Sequence, residues 1–243
     1  MTFEQHARSF GAAADAYERG RPGYPSAVAE WLAPDPVTLA VDVGAGTGKF
    51  TRTLLPRAAE VVAVDPDAAM RARLTDVLPG VRALEGTGEA VPLEDGSADL
   101  VTFAQSWHWV DPTAGALEAA RILRPGGVLG LVWNIRDESI AWSADLGALI
   151  MRPESRIMQY DRPFVGEPFT DGAHETFAWV NEQSRADFLD MIASRSYVIV
   201  MPDDERRALL RQVEDLLDGA PETAGRATVP VPYVTHVHRY RRP

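Results

Sequence analysis

A chain of 243 residues, 46% of them hydrophobic, is long enough to bury a sizeable core within one large domain. Its 24 Lys and Arg against 35 Asp and Glu leave a formal net charge of −11, which repels phosphate backbones and anionic headgroups and disfavours nucleic acid or a membrane as partner. The absence of cysteine removes disulfides, thiolate nucleophiles and cysteine-bound zinc. The start MTFEQHARSF and the lack of any run of about eighteen apolar residues make a cytoplasmic protein the expectation.

In chain order, residues 1–24 read as a helical start followed by YERGRPGYP, whose prolines and glycines forbid a regular element. This stretch mixes Tyr17, Arg19, Arg21 and Tyr24, and is either a solvated connector or a cover over a site. Pro25 sits where a helix can begin, and Ala27, Val28, Trp31 and Leu32 give that helix an apolar face. Strand-formers then run from Val37 to Val43, end in Gly44, Gly46 and Gly48, and give way to a helix-compatible segment through Thr51, Leu54 and Leu55. Alternate glycines permit positive φ and leave no Cβ between the main chain and a ligand crossing the turn.

A dinucleotide fingerprint would place its third glycine where this chain has Lys49. Instead VDVGAGTGKF reads GxGxG preceded by Asp42, and in this form it resembles the first motif of the class I S-adenosylmethionine-dependent methyltransferases, of the small-molecule, type 11-like kind. The resemblance implies cofactor contacts from Asp42, Gly44, Ala45 and Gly46, and makes residues 1–24 a lid carrying Tyr17 and Arg21 toward the cofactor. A short buried strand over residues 60–64 ends at Asp65, just before Pro66. Two readings of Asp65 compete: an N-cap with proline at the first helical position, or the acid that accepts hydrogen bonds from both ribose hydroxyls, about twenty residues past the glycine turn. Met70, one turn on, would pack on adenine or in the core.

Residues 81–86 give a third strand, and GTGEAVPLEDGSADLV resembles the family's segment that surrounds adenine, with Thr87 standing where that pattern often has Asp; the implied contacts come from Thr87, Gly88 and Glu89. Residues 98–104 form the fourth strand, followed directly by Gln105, Ser106, Trp107, His108 and Trp109. Ligands of open α/β sheets lie beyond the carboxyl ends of the strands, so the stretch from Gln105 to Trp109 sits where an acceptor should meet the methyl group, and the resemblance implies Gln105 at the cofactor. His108 is either a general base with a pKa suited to neutral pH or a pocket wall between two tryptophans. After a helix over residues 111–123, Pro125, Gly126 and Gly127 read as the turn before a fifth strand, VLGLVWN. Residues 135–181 read as an insertion, walling an acceptor pocket or extending the core; helices over residues 185–193 and 203–217 and a strand over residues 229–240 follow.

The resemblance implies a single domain with a Rossmann-like doubly wound α/β sheet of seven strands, the last antiparallel, and an N-terminal helical lid. It implies methyl transfer from S-adenosylmethionine to a small organic acceptor, with S-adenosylhomocysteine as product and no metal. A non-catalytic cofactor-binding module and a nicotinamide-dependent oxidoreductase are the alternatives.

Overall fold

The computed structural model describes residues 21–150, 160–169 and 172–243. Strands β1 (Val37–Val43), β2 (Ala58–Val64), β3 (Arg82–Leu84), β4 (Ala98–Ala104), β5 (Leu123–Arg136), β6 (Gly172–Ser184) and β7 (Thr228–Arg241) form one seven-stranded sheet in the order β3-β2-β1-β4-β5-β7-β6. The pairs β1–β2, β1–β4, β2–β3 and β4–β5 are parallel. β7 runs antiparallel to β5: the Gly126 N–H donates to the Arg242 carbonyl at one end of the pair, the Asp137 N–H to the Pro232 carbonyl at the other. Strand order reverses between β1 and β4, and in open α/β sheets such a reversal leaves a crevice at the carboxyl ends.

The helices are α1 (Ser26–Leu32), α2 (Thr51–Leu54), α3 (Ala68–Val77), α4 (Pro112–Ile122), α5 (Ala141–Ile150), α6 (Arg185–Ala193), α7 (Ser196–Ile199) and α8 (Asp203–Gly219). No helix among the described residues is long and apolar enough to cross a membrane. The described chain falls into two compact units, one of residues 23–134, 160–169, 172–177 and 235–243, the other of residues 21–22, 135–150 and 178–234. In the first, Val28, Leu32, Phe50, Leu54, Leu100 and Val132 belong to one apolar cluster, and Ala63, Leu74, Leu78 and Val81 to another. In the second, Trp142, Leu146, Phe188, Val213, Leu217 and Val231 form the core.

Three local expectations change. The Arg124–Gly127 stretch is not a turn that precedes a strand: β5 already begins at Leu123, and the register with β4 jumps from Ala98↔Leu123 to Leu100↔Val128, so this stretch is a bulge inside the strand. Gly126 holds φ +78° there, and the bulge pairs with Arg242 rather than ending the sheet. Part of the expected 135–181 insertion is a strand of the sheet, because residues 172–184 form β6. β6 closes the sheet order as an edge strand and stays exposed along most of its length, so it lacks the continuous apolar run that marks β1 or β4. Finally, α3 starts at Ala68 with Asp67 as its N-cap, two residues later than the Asp65–Pro66 reading required.

Candidate active site

The glycine loop leaves β1 with Gly44, Gly46 and Gly48 at φ +68°, +56° and +88°, a region that side chains with a Cβ rarely occupy. Each glycine answers a different need. A Cβ on Gly44 would fall 2.4 Å from Ser106 Cβ, so its absence lets the segment after β4 approach the end of β1. Ser106 Oγ uses that approach to donate to the Val43 carbonyl at 2.7 Å. A Cβ on Gly48 would lie 2.8 Å from Leu78 and 3.1 Å from Leu74, so this glycine lets the α3 region close on the loop. A Cβ on Gly46 would meet nothing within 4 Å. Among the described residues, the middle of the loop thus has open space beside its backbone.

Asp65, at the end of β2, does not cap α3. Its Oδ2 accepts from the Gly46 N–H at 2.8 Å and its Oδ1 from the Asp67 N–H at 2.9 Å, which ties the glycine loop to the second strand. Burial pushes its pKa up, against those two amide bonds, which lower it. The cap belongs to Asp67, whose Oδ1 accepts from Ala69 and Met70 N–H at 2.7 and 3.1 Å. Met70 itself is buried.

Asp42 departs from the expectation that it touches a cofactor. It is 0% exposed, and its two oxygens accept from Thr51 Oγ1 at 2.6 Å and Thr102 Oγ1 at 3.0 Å. Desolvation raises its pKa to about 6, against the lowering effect of the two threonine bonds. A carboxylate so enclosed reaches no ligand. It is a positioning residue, joining β1 to the start of α2 and to β4 directly beneath the loop.

At the end of β4, Gln105 is the one non-glycine residue among those described with positive φ, at 56°, a conformation that costs roughly 1 to 3 kcal/mol and is kept where surrounding contacts over-determine it. Those contacts are its N–H to the Val132 carbonyl and its Nε2 to the Asn134 carbonyl, both 2.8 Å. Asn134 links two more pieces: its Nδ2 donates to the Gly23 carbonyl at 2.8 Å, and its Oδ1 accepts from Thr235 Oγ1 at 2.6 Å. Sequence reasoning placed Ser106 in the stretch expected to meet the acceptor without giving it a role, and it missed Asn134, for which the position at the carboxyl end of a predicted strand was the available signal. Trp107 is buried edge-on to Phe103, 4.9 Å between ring centroids, with Nε1 donating to the Phe164 carbonyl at 3.0 Å, so it is a wall. His108 is exposed, its ring 4.8 Å from that of Trp109, and desolvation by its surroundings pulls its pKa below the usual histidine value.

The Thr87–Glu89 segment is fixed from two sides. Thr87 exchanges backbone hydrogen bonds with Ala90, and Gly88 is buried where a Cβ would fall 2.5 Å from Val110. The Glu89 carboxylate accepts from the Asp111 N–H at 2.9 Å, so that side chain is engaged in holding the loop before α4. Ala45 donates its N–H to the Val64 carbonyl within the glycine loop. The structure thus brings Gly44, Ala45, Gly46, Asp65 and Gln105 to the ends of β1, β2 and β4 in one unit. Arg21 belongs to the other unit, where its charge acts on Arg195 and Tyr233. Tyr17, and most of the lid assigned to residues 1–24, lie outside the described residues; Tyr24, within them, sets its ring edge-on to Phe50 at 5.0 Å.

An α/β sheet of this order with a glycine loop at its switch point defines a class of proteins before any comparison is made. A family model described as a methyltransferase domain matches residues 41–131. An uncharacterized methyltransferase of Mycobacterium tuberculosis is 46% identical over 227 residues, covering 93% of each chain. The chain belongs to this methyltransferase family. A solved structure from Anaeromyxobacter dehalogenans, assigned as a type II methyltransferase, shares the fold with TM-score 0.66 and 22% identity, covering 91% of this chain and 97% of that one. Haemonchus contortus phosphoethanolamine N-methyltransferase 2, solved with phosphomonomethylethanolamine and S-adenosylhomocysteine, shares it with TM-score 0.55 and 14% identity, covering 99% of this chain and 59% of that one.

Proposed function

We propose that the protein transfers a methyl group from S-adenosylmethionine to a small organic acceptor by in-line displacement. The observation that carries this reading is the glycine loop at the end of β1, where a Cβ on Gly46 would meet no described atom within 4 Å and the Gly46 N–H is held by Asp65. The loop backbone of Gly44, Ala45 and Gly46 would lie against the donor, and Asp65 would receive the two ribose hydroxyls, since a carboxylate that already accepts two amide bonds keeps lone pairs for a vicinal diol. Met70 and the Thr87–Glu89 backbone would border adenine. When bound, the donor supplies a methyl group already activated by its sulfonium, so the chain's task is alignment and exclusion of water.

For an acceptor that must lose a proton, His108 is the base. Desolvation favours its neutral form, which is the form that takes a proton near pH 7. The net charge of −11 supports a small acceptor over nucleic acid or a membrane surface. Calorimetric titration with S-adenosylhomocysteine, followed by a screen of small metabolites with methyl-labelled S-adenosylmethionine, tests both parts. Binding of the product together with label transfer to a small molecule is expected. A protein that binds no S-adenosylhomocysteine at millimolar concentration would end the proposal.

A further inference from the structure

Between β3 and β4 the chain runs through residues 85–97 with neither helix nor strand, and carries one isolated bridge between Thr87 and Ala90. No period in the sequence shapes such a stretch, so its polar backbone groups must be met from outside it. One helix does this. At the start of α4 the Asp111 N–H donates to Glu89 Oε1 at 2.9 Å. In its last turn stands Arg121, and each of the five N–H donors of that guanidinium finds an acceptor. Nε donates to Glu118 Oε2 at 2.8 Å. Nη1 donates to the Leu93 carbonyl at 2.8 Å and to Asp95 Oδ1 at 2.6 Å. Nη2 donates to the Val91 carbonyl at 2.9 Å and to Glu118 Oε1 at 2.8 Å.

Glu118 completes the clamp. Its Oε1 also accepts from the Val91 N–H at 2.6 Å, so α4 takes up both backbone groups of Val91, the N–H through Glu118 and the carbonyl through Arg121. The Arg121 guanidinium holds the Glu118 carboxyl below its ordinary value, against the opposing effect of burial. The Asp95 side chain is 81% exposed and adds little, which leaves the work to Glu118 and the two carbonyls. Two glycines let the stretch close on its surroundings. A Cβ on Gly86 would fall 2.8 Å from Val64 and 2.9 Å from the Ala90 carbonyl oxygen, and one on Gly88 would fall 2.5 Å from Val110. The Thr87–Ala90 turn is thus gripped on both sides, while Thr87, Glu89 and Ala90 themselves stay exposed.

We propose that Arg121 is a positioning residue for adenine recognition: by fixing Val91 and Leu93 it sets where the exposed backbone of the Thr87–Ala90 turn meets the edge of the base. The inference rests on the methyl-transfer reading above, in which this segment borders adenine. The Glu89 carboxylate is engaged by Asp111, and Thr87 brings a hydroxyl rather than an acid, so reading the base falls to main-chain N–H and C=O groups. Such groups discriminate only when they are held in place. A guanidinium suits the task, because its planar fork reaches two carbonyls and a carboxylate together, whereas an ammonium offers its donors from a single nitrogen.

The test titrates the full chain calorimetrically with S-adenosylhomocysteine in one arm and S-inosylhomocysteine, altered only at the base, in the other. The parent is expected to prefer the adenosyl compound, because a site that hydrogen-bonds one edge rejects an altered one. Arg121→Gln is expected to weaken S-adenosylhomocysteine roughly tenfold and to narrow the preference between the two compounds. Arg121→Lys, which keeps the charge and loses the fork, should fall between parent and glutamine variant. Arg185→Gln, which breaks the contact with Asp218 in the other unit, is the control for stability alone: it should lower the melting temperature and leave both affinities as in the parent. Should Arg121→Gln fail to fold by circular dichroism, Glu118→Gln takes its place, with a smaller change in the same direction expected. The positioning role is overturned by a folded clamp variant that binds as the parent does or loses both compounds by the same factor, and by a parent indifferent to the base. A parent that does not bind S-adenosylhomocysteine breaks the methyl-transfer reading itself.

Discussion

The two units differ in the sign of the charge they bury and in what meets it. Beside the glycine loop, the oxygens of both buried acids are engaged by protein donors: Asp42 by two threonine hydroxyls, Asp65 by two backbone amides. In the other unit, Nε and Nη1 of Arg136 and Nε of Arg195 are buried with no acceptor among the described residues, while Arg136 Nη2 meets Glu138. Internal partners hold a buried charge in one geometry, whereas a buried donor without one is costly to keep. The contrast lies between a loop whose backbone is pre-shaped by those acids and a unit that keeps guanidinium nitrogens buried without an acceptor among the described residues.

The comparison can be broken most forcefully at Gly46. A Cβ there would meet no described atom within 4 Å, so the main folding cost is the strain of positive φ, yet affinity for S-adenosylhomocysteine should fall about a hundredfold or more because the side chain occupies the space beside the loop. Calorimetry against a thermal melt reads the two apart; affinity within a few-fold of the parent would mean that the loop does not face the donor.

Next in size is the pH dependence set by Asp42. Its folded pKa of about 6 lies above the ordinary aspartate value of 3.8, so between these values the folded state keeps a proton that the unfolded state gives up, and stability falls as pH rises through the window. Asp42→Asn removes this cost, and the variant's stability relative to the parent should rise by roughly 3 kcal/mol between pH 4 and 7 in urea titrations. A constant difference across that range would show that the acid is not held against its own ionisation.

Asp65→Ala should weaken S-adenosylhomocysteine by about 2 to 3 kcal/mol, the loss of a two-pronged charged contact. Asp67→Ala, which removes the true cap of α3, should lower stability by about 1 kcal/mol and leave affinity unchanged. Equal effects of the two substitutions on affinity would erase the distinction between the acid that meets the ligand and the acid that starts the helix.

The strands at the heart of the sheet were legible because their signals are local. The run over residues 98–104 appears as β4 with the same ends, and the three glycines take the positive φ that their spacing suggested. β6 was not legible, since an edge strand with one half-covered face carries no continuous apolar run. The RPGG stretch read as a turn on composition, but its pairing with Arg242 draws it into β5 as a bulge.

By itself the sequence determined where the chain turns sharply, which segments are buried on both faces and which residue types gather around the loop, because backbone sterics and hydrophobic period act between near neighbours. Only the tertiary structure decided what each charged group does. Asp42 became a brace through Thr102, 60 residues away; Asp65 became a bridge to Gly46, 19 residues away; Arg195 came under the charge of Arg21 and Arg136. The role of a carboxylate or a guanidinium is set by what desolvates it and what donates or accepts beside it, and those neighbours arrive from distant parts of the chain.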